Sequence, residues 1–185
     1  MEETGFMRWH WIDRFEEFVS GVRAVSIKNV TMAEEHLHDY WPGFPVMPNS
    51  LIIEGMAQTG GLLVGEHNQF SESVVLAKVN KAIFHDLIRP GDQLRYTATA
   101  TNIRDDGGNI TGLVHCGEKI VAEINLMFAC LRGEMSEVNQ FYPIDFIRML
   151  RTLEMYKVGV TEQGEPLTPP AFMLAAEAEL NQSMS

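Results

Sequence analysis

A chain of 185 residues with 45% apolar side chains is long enough to bury one sizeable core, as one domain with an appendage. A formal net charge of −11 argues against nucleic acid or an anionic membrane surface as the main partner, while leaving room for a local basic rim. The two cysteines, Cys116 and Cys130, lack metal-ligand spacing and read as reduced core thiols rather than a disulfide scaffold.

The opening MEETGFMRWHW carries two early acids and no long apolar region, so it does not read as a signal peptide. The longest apolar stretch is interrupted by Glu, Gln and Gly, so no membrane span is expected and the cytoplasm is the default compartment. Residues 9–18 mix aromatics with Asp13, Arg14, Glu16 and Glu17, and read as a short helix or the lead-in to a strand. Residues 22–30 alternate as a strand does. Residues 33–43, AEEHLHDYWPG, have no clean period and are expected to form a loop that delivers side chains to the mouth of the element that follows.

That element is central. After Pro48, residues 49–66 run apolar for about four helical turns, with Asn49 and Ser50 as good N-cap residues. Gly55, Ala57, Gly60 and Gly61 would let other backbone approach closely, at a cost in helix propensity. A helix that is apolar nearly all round is buried nearly all round. It nevertheless carries Glu54. In its first turns a carboxylate is favoured by roughly 0.3–1 kcal/mol with no function at all. Yet Glu is almost never buried unpaired, so in an enclosed helix Glu54 should meet solvent in a pocket.

Residues 74–84 are strand-like, with a bulge or bend expected around Asn80, and Pro90-Gly91-Asp92 marks a turn. Three extended segments follow, at 93–103, 109–116 and 119–131, separated by Asp105-Asp106-Gly107-Gly108 and Gly117-Glu118 as hairpins require. In the last of them Ile120, Ala122 and Ile124 should share the inner face. A long buried helix followed by an antiparallel meander is an α+β pattern, in which the sheet should curl around the helix. Beyond Gly133 the character changes. Residues 143–157 have helical spacing, with Phe146, Met149, Leu150 and Leu153 on one face, Pro143 near the start and Asp145 in the first turn. The remainder, acidic and then alanine-rich, is expected to be a mobile tail with a weak helix. The expected organisation is thus a domain at 1–132 and an extension at 133–185.

The run PGFPVMPNSLIIEGMAQTGG resembles the signature of the 3-hydroxyacyl-[acyl carrier protein] dehydratases of the hot-dog fold, the FabZ/FabA type. WIDRFEEF at 11–18, VSIKNVT at 25–31, the block at 79–94 with Lys81-Ala82 and RPGDQL, and AEINLMFA at 122–129 resemble that family's other segments, in the expected order and at matching intervals. The resemblance implies a hot-dog fold with a long central helix wrapped by a bent antiparallel sheet. It also implies a homodimer formed by joining sheet edges, with dimers assembling as trimers into hexamers, and no cofactor. The substrate it implies is a 3-hydroxyacyl thioester on the phosphopantetheine arm of acyl carrier protein, dehydrated to a trans-2-enoyl thioester in fatty-acid synthesis or a related pathway. A histidine of one subunit and a helix carboxylate of the other do the chemistry, and the matching carboxylate is Glu54.

The histidine is where this chain departs from the pattern, for Tyr40 precedes Trp41-Pro42-Gly43 where the family has histidine before Phe-Pro-Gly. A base that removes a proton next to a thioester needs a pKa near the working pH. Histidine starts at ~6.5 and tyrosine at ~10, so holding tyrosinate at pH 7 costs about 4 kcal/mol. His38, two residues back, would point the same way as Tyr40 in extended chain. His36 shares that face at greater distance, and the absence of any catalytic histidine is the third alternative. The expected site is therefore His38 and Glu54 as catalytic pair, with Tyr40, Gly43, Met56, Leu62, Leu63 and Ile88 lining the substrate path. Backbone N–H groups at the helix start or at Gly43 would meet the developing thioester oxyanion.

The remaining histidines carry less. His10, between Trp9 and Trp11, reads as part of an aromatic cluster, His67 and His85 as surface residues, and His115-Cys116 as no metal site. Lys78, Lys81, Arg89 and Arg95 are the candidates for a basic rim facing an acidic carrier. Two other activities remain open at this stage, because hot-dog folds host several. One is an acyl thioesterase using Glu54, and the other a non-catalytic, dehydratase-like subunit that binds acyl carrier protein.

Overall fold

The alternating segments and the long helix both form, in that order, in a computed structural model that describes residues 10–131 and 142–183. The first nine residues and the expected boundary at 132–133 lie outside those ranges. Seven strands make one sheet: β1 (Arg14–Val19), β2 (Arg23–Asn29), β3 (Ser73–Phe84), β4 (Gln93–Arg104), β5 (Gly107–Cys116), β6 (Lys119–Leu131) and β7 (Gly159–Val160). Their order is β3-β6-β5-β4-β2-β1-β7. All neighbours are antiparallel except β7, which pairs parallel to β1.

The helix α2 (Asn49–His67) packs against this sheet as the hot-dog architecture requires, and α1 (His36–Asp39) precedes it. The cap of α2 is Pro48, one position earlier than the sequence suggests, and it bonds no side chain. Ile52, Met56, Thr59 and Leu63 are completely buried against the sheet. Glycine permits this closeness: a Cβ on Gly55 would fall inside the ring of Tyr96 in β4, and one on Gly112 would meet the sulfur of Met56. One polar link is buried among these groups. Thr59 Oγ1 gives its only proton to the Gly55 carbonyl at 2.7 Å, so Ser26 Oγ of β2 must be the donor in the 2.6 Å bond to Thr59.

Bulges bend the sheet. The β3–β6 register shifts between Val79 and Lys81, where the kink at Asn80 was expected. A second shift, in β5–β6, leaves Val121 without a partner between Ile120 and Ala122. It reverses the alternation there: Ala122, Ile124 and Leu126 point inward, but Ile120 is exposed, contrary to the simple pattern.

The extension also differs from expectation. The helix α3 (Pro143–Thr152) stops before the predicted end at 157, because Glu154 adopts left-handed geometry with φ 58° and α4 (Met155–Val158) starts a new direction. The segment expected as a mobile tail supplies β7, and the helix expected within it forms as α5 (Ala171–Ser183). Ile147, Leu150, Leu153, Met155 and Met173 join Phe15 and Phe18 of β1 in one apolar core. Main-chain bonds from Phe15 N–H to Leu153 and from Ser20 N–H to Val160 stitch the two parts together. Arg151 pairs with Glu177 at 2.7 Å between α3 and α5. Both cysteines are partly buried, and Asn68 Nδ2 donates to Cys130 Sγ at 3.8 Å. Among the described residues no helix is long and apolar enough to cross a membrane.

Candidate active site

On α2, Glu54, Ala57, Gln58, Gly61, Leu62 and Gly65 recur at spacings of three and four, and so lie on one side of the helix. This side borders a cavity of about 740 Å³. Glu54 is half-buried at its wall. Its Oε1 accepts a hydrogen bond from Gln58 Nε2 at 2.7 Å, one helical turn on. Gln58 Oε1 in turn accepts the backbone N–H of Trp11 at 2.8 Å and, more weakly, that of Ile12 at 3.4 Å. Because a backbone N–H can only donate, these bonds fix the amide with its NH₂ towards Glu54. The carboxylate is thus held from one side and open to the cavity on the other.

Leu62 borders the same cavity. Met56, Leu63 and Ile88, expected along the substrate path, are instead core residues, at most 1% exposed. The reason is rotational: Met56 and Leu63 lie on the sheet-facing side of α2, away from Glu54. Sequence reasoning missed Gln58, whose role depends on main chain 47 residues away. It also missed His10, which lines the cavity with Glu54 and was expected in an aromatic cluster.

The segment before α2 is not extended. Thr31 and Glu34 close a turn, with Thr31 N–H donating to Glu34 Oε1 at 2.8 Å and Glu34 N–H to the Thr31 carbonyl at 3.1 Å, and the chain then turns helically through 36–39 and buries Leu37. The Thr-x-x-Glu spacing at 31–34 was the available signal. In a helical turn His36 and Tyr40 share a face and His38 does not, which reverses the extended-chain geometry. His38 Nε2 lies 2.7 Å from the Met32 carbonyl. A carbonyl only accepts, so this nitrogen carries the proton and Nδ1 holds the lone pair. His36 packs on Trp11 with ring centroids 5.2 Å apart, and its Nε2 is buried with no hydrogen-bond partner among the described residues. Burial lowers its pKa below the usual histidine value, Lys28 adding to the effect and Glu34 opposing it.

Tyr40 and Trp41 are well exposed, and Gly43 turns at φ +79° with open space around it. Behind them Phe44 packs edge-on against Trp41 at 5.4 Å and receives the Arg89 guanidinium on its face at 4.5 Å. Of the four candidate rim cations, Lys81 is paired with Glu123 at 2.7 Å and Arg95 with Glu16 at 3.0 Å. Lys78 and Arg89 make no ion pair with a described residue. Among the described residues β3 is the long edge strand of the sheet, and it exposes Leu76, Val79 and Ile83.

Residues 7–125 match the FabA-like domain. A 3-hydroxyacyl-[acyl-carrier-protein] dehydratase FabZ of Halalkalibacterium halodurans is 39% identical over 120 residues, which cover 64% of this chain and 85% of that protein. The FabZ of Pelotomaculum thermopropionicum is 37% identical over 119 residues, again 64% and 85%. Among solved structures, the dehydratase heterocomplex ApeI:P from Xenorhabdus doucetiae has the same fold, with a TM-score of 0.59 at 15% identity over 71% of this chain and 90% of that one.

Proposed function

This chain belongs to the FabA-like family, and we infer from that membership that it is a 3-hydroxyacyl-[acyl-carrier-protein] dehydratase, a lyase of lipid metabolism that converts 3-hydroxyacyl thioesters to trans-2-enoyl thioesters. The observation in the fold that supports this reading best is Glu54, held by Gln58 and presented to a large cavity. In the proposed reaction a neutral histidine takes the proton from C2, the electron pair forms the C2–C3 double bond, and the C3 hydroxyl leaves as water with a proton delivered by Glu54. Gly43 N–H and the first amides of α2 stabilise the thioester oxygen as negative charge develops on it.

Two histidines compete for the base. The first reading keeps His38, acting across a dimer on Glu54 of the other subunit. Its support is the Met32 carbonyl, which holds the proton on Nε2 and leaves Nδ1 as the basic nitrogen of an exposed ring. The second reading is favoured by a different observation: His10 borders the cavity of Glu54 within one chain. Tyr40 then positions substrate rather than transferring a proton. A homodimer fits the exposed apolar edge β3, where an unpaired strand invites a second copy, and a trimer of such dimers is the expected larger assembly. Lys78 and Arg89 are the cations left to meet an acidic acyl carrier protein.

The deciding assay follows enoyl thioester formation by ultraviolet absorbance and mass for the wild type, His10→Ala, His38→Ala, Tyr40→Phe and Glu54→Gln. Loss of about 10²-fold or more in Glu54→Gln and in one histidine variant, with activity kept in Tyr40→Phe, is the expected outcome. Release of free thiol would make the protein a thioesterase. Carrier binding with no turnover would make it a non-catalytic subunit.

A further inference from the structure

The cavity beside Glu54 has a second wall that the family segment does not supply. The match ends at residue 125, whereas Phe146 and Met149 of α3, Leu153 just after it and Phe172 of α5 line the cavity together with α2. The α2 side runs from Glu54 to Gly65, eleven residues at 1.5 Å of rise, or about 16 Å. At the Glu54 end the lining includes His10 and Gln58. At the other end it is aromatic: the ring of Phe70 lies over Gly65, at the distance a Cβ there would just touch, and meets Phe146 edge-on at 5.0 Å. Gly61 and Gly65 let two rings close in on the helix, for a Cβ on Gly61 would press on Phe128 and one on Gly65 on Phe70, and both rings line the cavity. Such a volume lies within the range of small-molecule sites, and Ser71, Glu72 and Ser73, next to Phe70 in the chain, add polar groups to its lining.

We propose that α3 and α5 form the acyl-chain wall of this enzyme, so that the cavity takes the hydrocarbon tail of a long-chain 3-hydroxyacyl thioester with its reacting carbons at Glu54. The extension is then a specificity element, and the Phe70–Phe146 pair is the stop that sets the longest chain accepted. The identity of the reacting head rests on the dehydratase reading, while the apolar tail site rests on the cavity. The two are separable by experiment.

The test uses the full-length protein, with Met149→Trp filling the cavity from α3 and Phe172→Ala removing part of the wall at its rim. Two quantities are read: binding of cis-parinaric acid by fluorescence, and the ratio of kcat/KM for 3-hydroxypalmitoyl to that for 3-hydroxybutyryl thioester. Met149→Trp should lower the ratio about tenfold or more and weaken parinaric acid binding to a similar degree, since apolar-pocket contacts discriminate on that scale. Phe172→Ala should weaken parinaric acid several-fold, and it keeps the inference testable if thermal melting shows that Met149→Trp does not fold. Parinaric acid binding that both substitutions weaken, in a protein that turns over neither thioester, would support the tail site and sink the dehydratase reading. A ratio unchanged in Met149→Trp, or no parinaric acid bound by the wild type, would overturn the inference.

Discussion

Replacing Gln58 by methionine tests the link between the fold and the carboxylate most directly. Methionine keeps much of the side-chain volume, so little cavity is created. What disappears is the 2.7 Å bond to Glu54 and the acceptor for the Trp11 and Ile12 N–H groups. A hydrogen bond contributes about 0.5–1.5 kcal/mol net, and a buried donor left without its acceptor costs about 1–3 kcal/mol. These bonds are partly buried and the two losses overlap, so the expected destabilisation is about 2 kcal/mol. For a chain of this size that corresponds to roughly 4–8 °C in Tm. Freed from its tether, Glu54 loses orientation, and kcat should fall about 10–100-fold with a smaller change in KM. Gln58→Glu sharpens the test. One of its oxygens still accepts from Trp11, but the other reaches Glu54 only if one proton is shared. Two ionised carboxylates at that separation repel, which raises the apparent pKa of the pair. Activity of this variant should therefore recover as pH falls through that value, a dependence a merely structural role would not produce. Thermal melting and a pH series of the enoyl thioester assay read both effects. If Gln58→Met keeps its Tm within a degree or so and its kcat within about twofold, the tether does not hold Glu54 and the site geometry has been misread.

Two further outcomes follow from burial. Glu66 is half-buried on the last turn of α2, and burial raises its carboxyl above the usual value of 4.5, with the hydrogen bond from Ser20 Oγ only partly opposing the shift. A carboxyl raised in the folded state stabilises the fold below its unfolded pKa and loses that contribution as pH rises through the folded value. Glu66→Gln removes this dependence, so its stability relative to wild type should increase as pH climbs from 4.5 towards neutrality; a constant difference in urea midpoints across that window would refute the assignment. Gly55→Ala gains about 1 kcal/mol in helix propensity but drives a methyl into Tyr96, where overpacking costs about 1–3 kcal/mol. Because Tyr96 is fully buried and hemmed in, the net change should be destabilising, and a higher urea midpoint in the variant would show that the ring can move aside.

Local pattern carried the strands, the turns between them and α2. Alternation, Pro-Gly-Asp and Asp-Asp-Gly-Gly turns, and a long, mostly apolar run are read within a few residues, and the backbone obeys them at that range. The identity of Glu54 as the odd group on a buried helix was legible for the same reason. The one-turn helix at 36–39 was read as loop, because it lacks apolar periodicity and its cap, Glu35, bonds no side chain. Other features have no local signature. Ile120 faces outward because a bulge opposite His115 inserts Val121, and a bulge is a property of two strands in register. Gln58 becomes a tether only when the lead-in to β1 brings two N–H groups to its oxygen. The acidic, weakly periodic tail folds because Phe15 and Phe18 of β1 and the outer edge of that strand offer apolar surface and unpaired main chain to cover. Sequence alone determined which segments are strands and helix and which carboxylate lies among them. The tertiary structure decided what each side chain faces, because burial and hydrogen-bond satisfaction are settled between segments far apart in the chain.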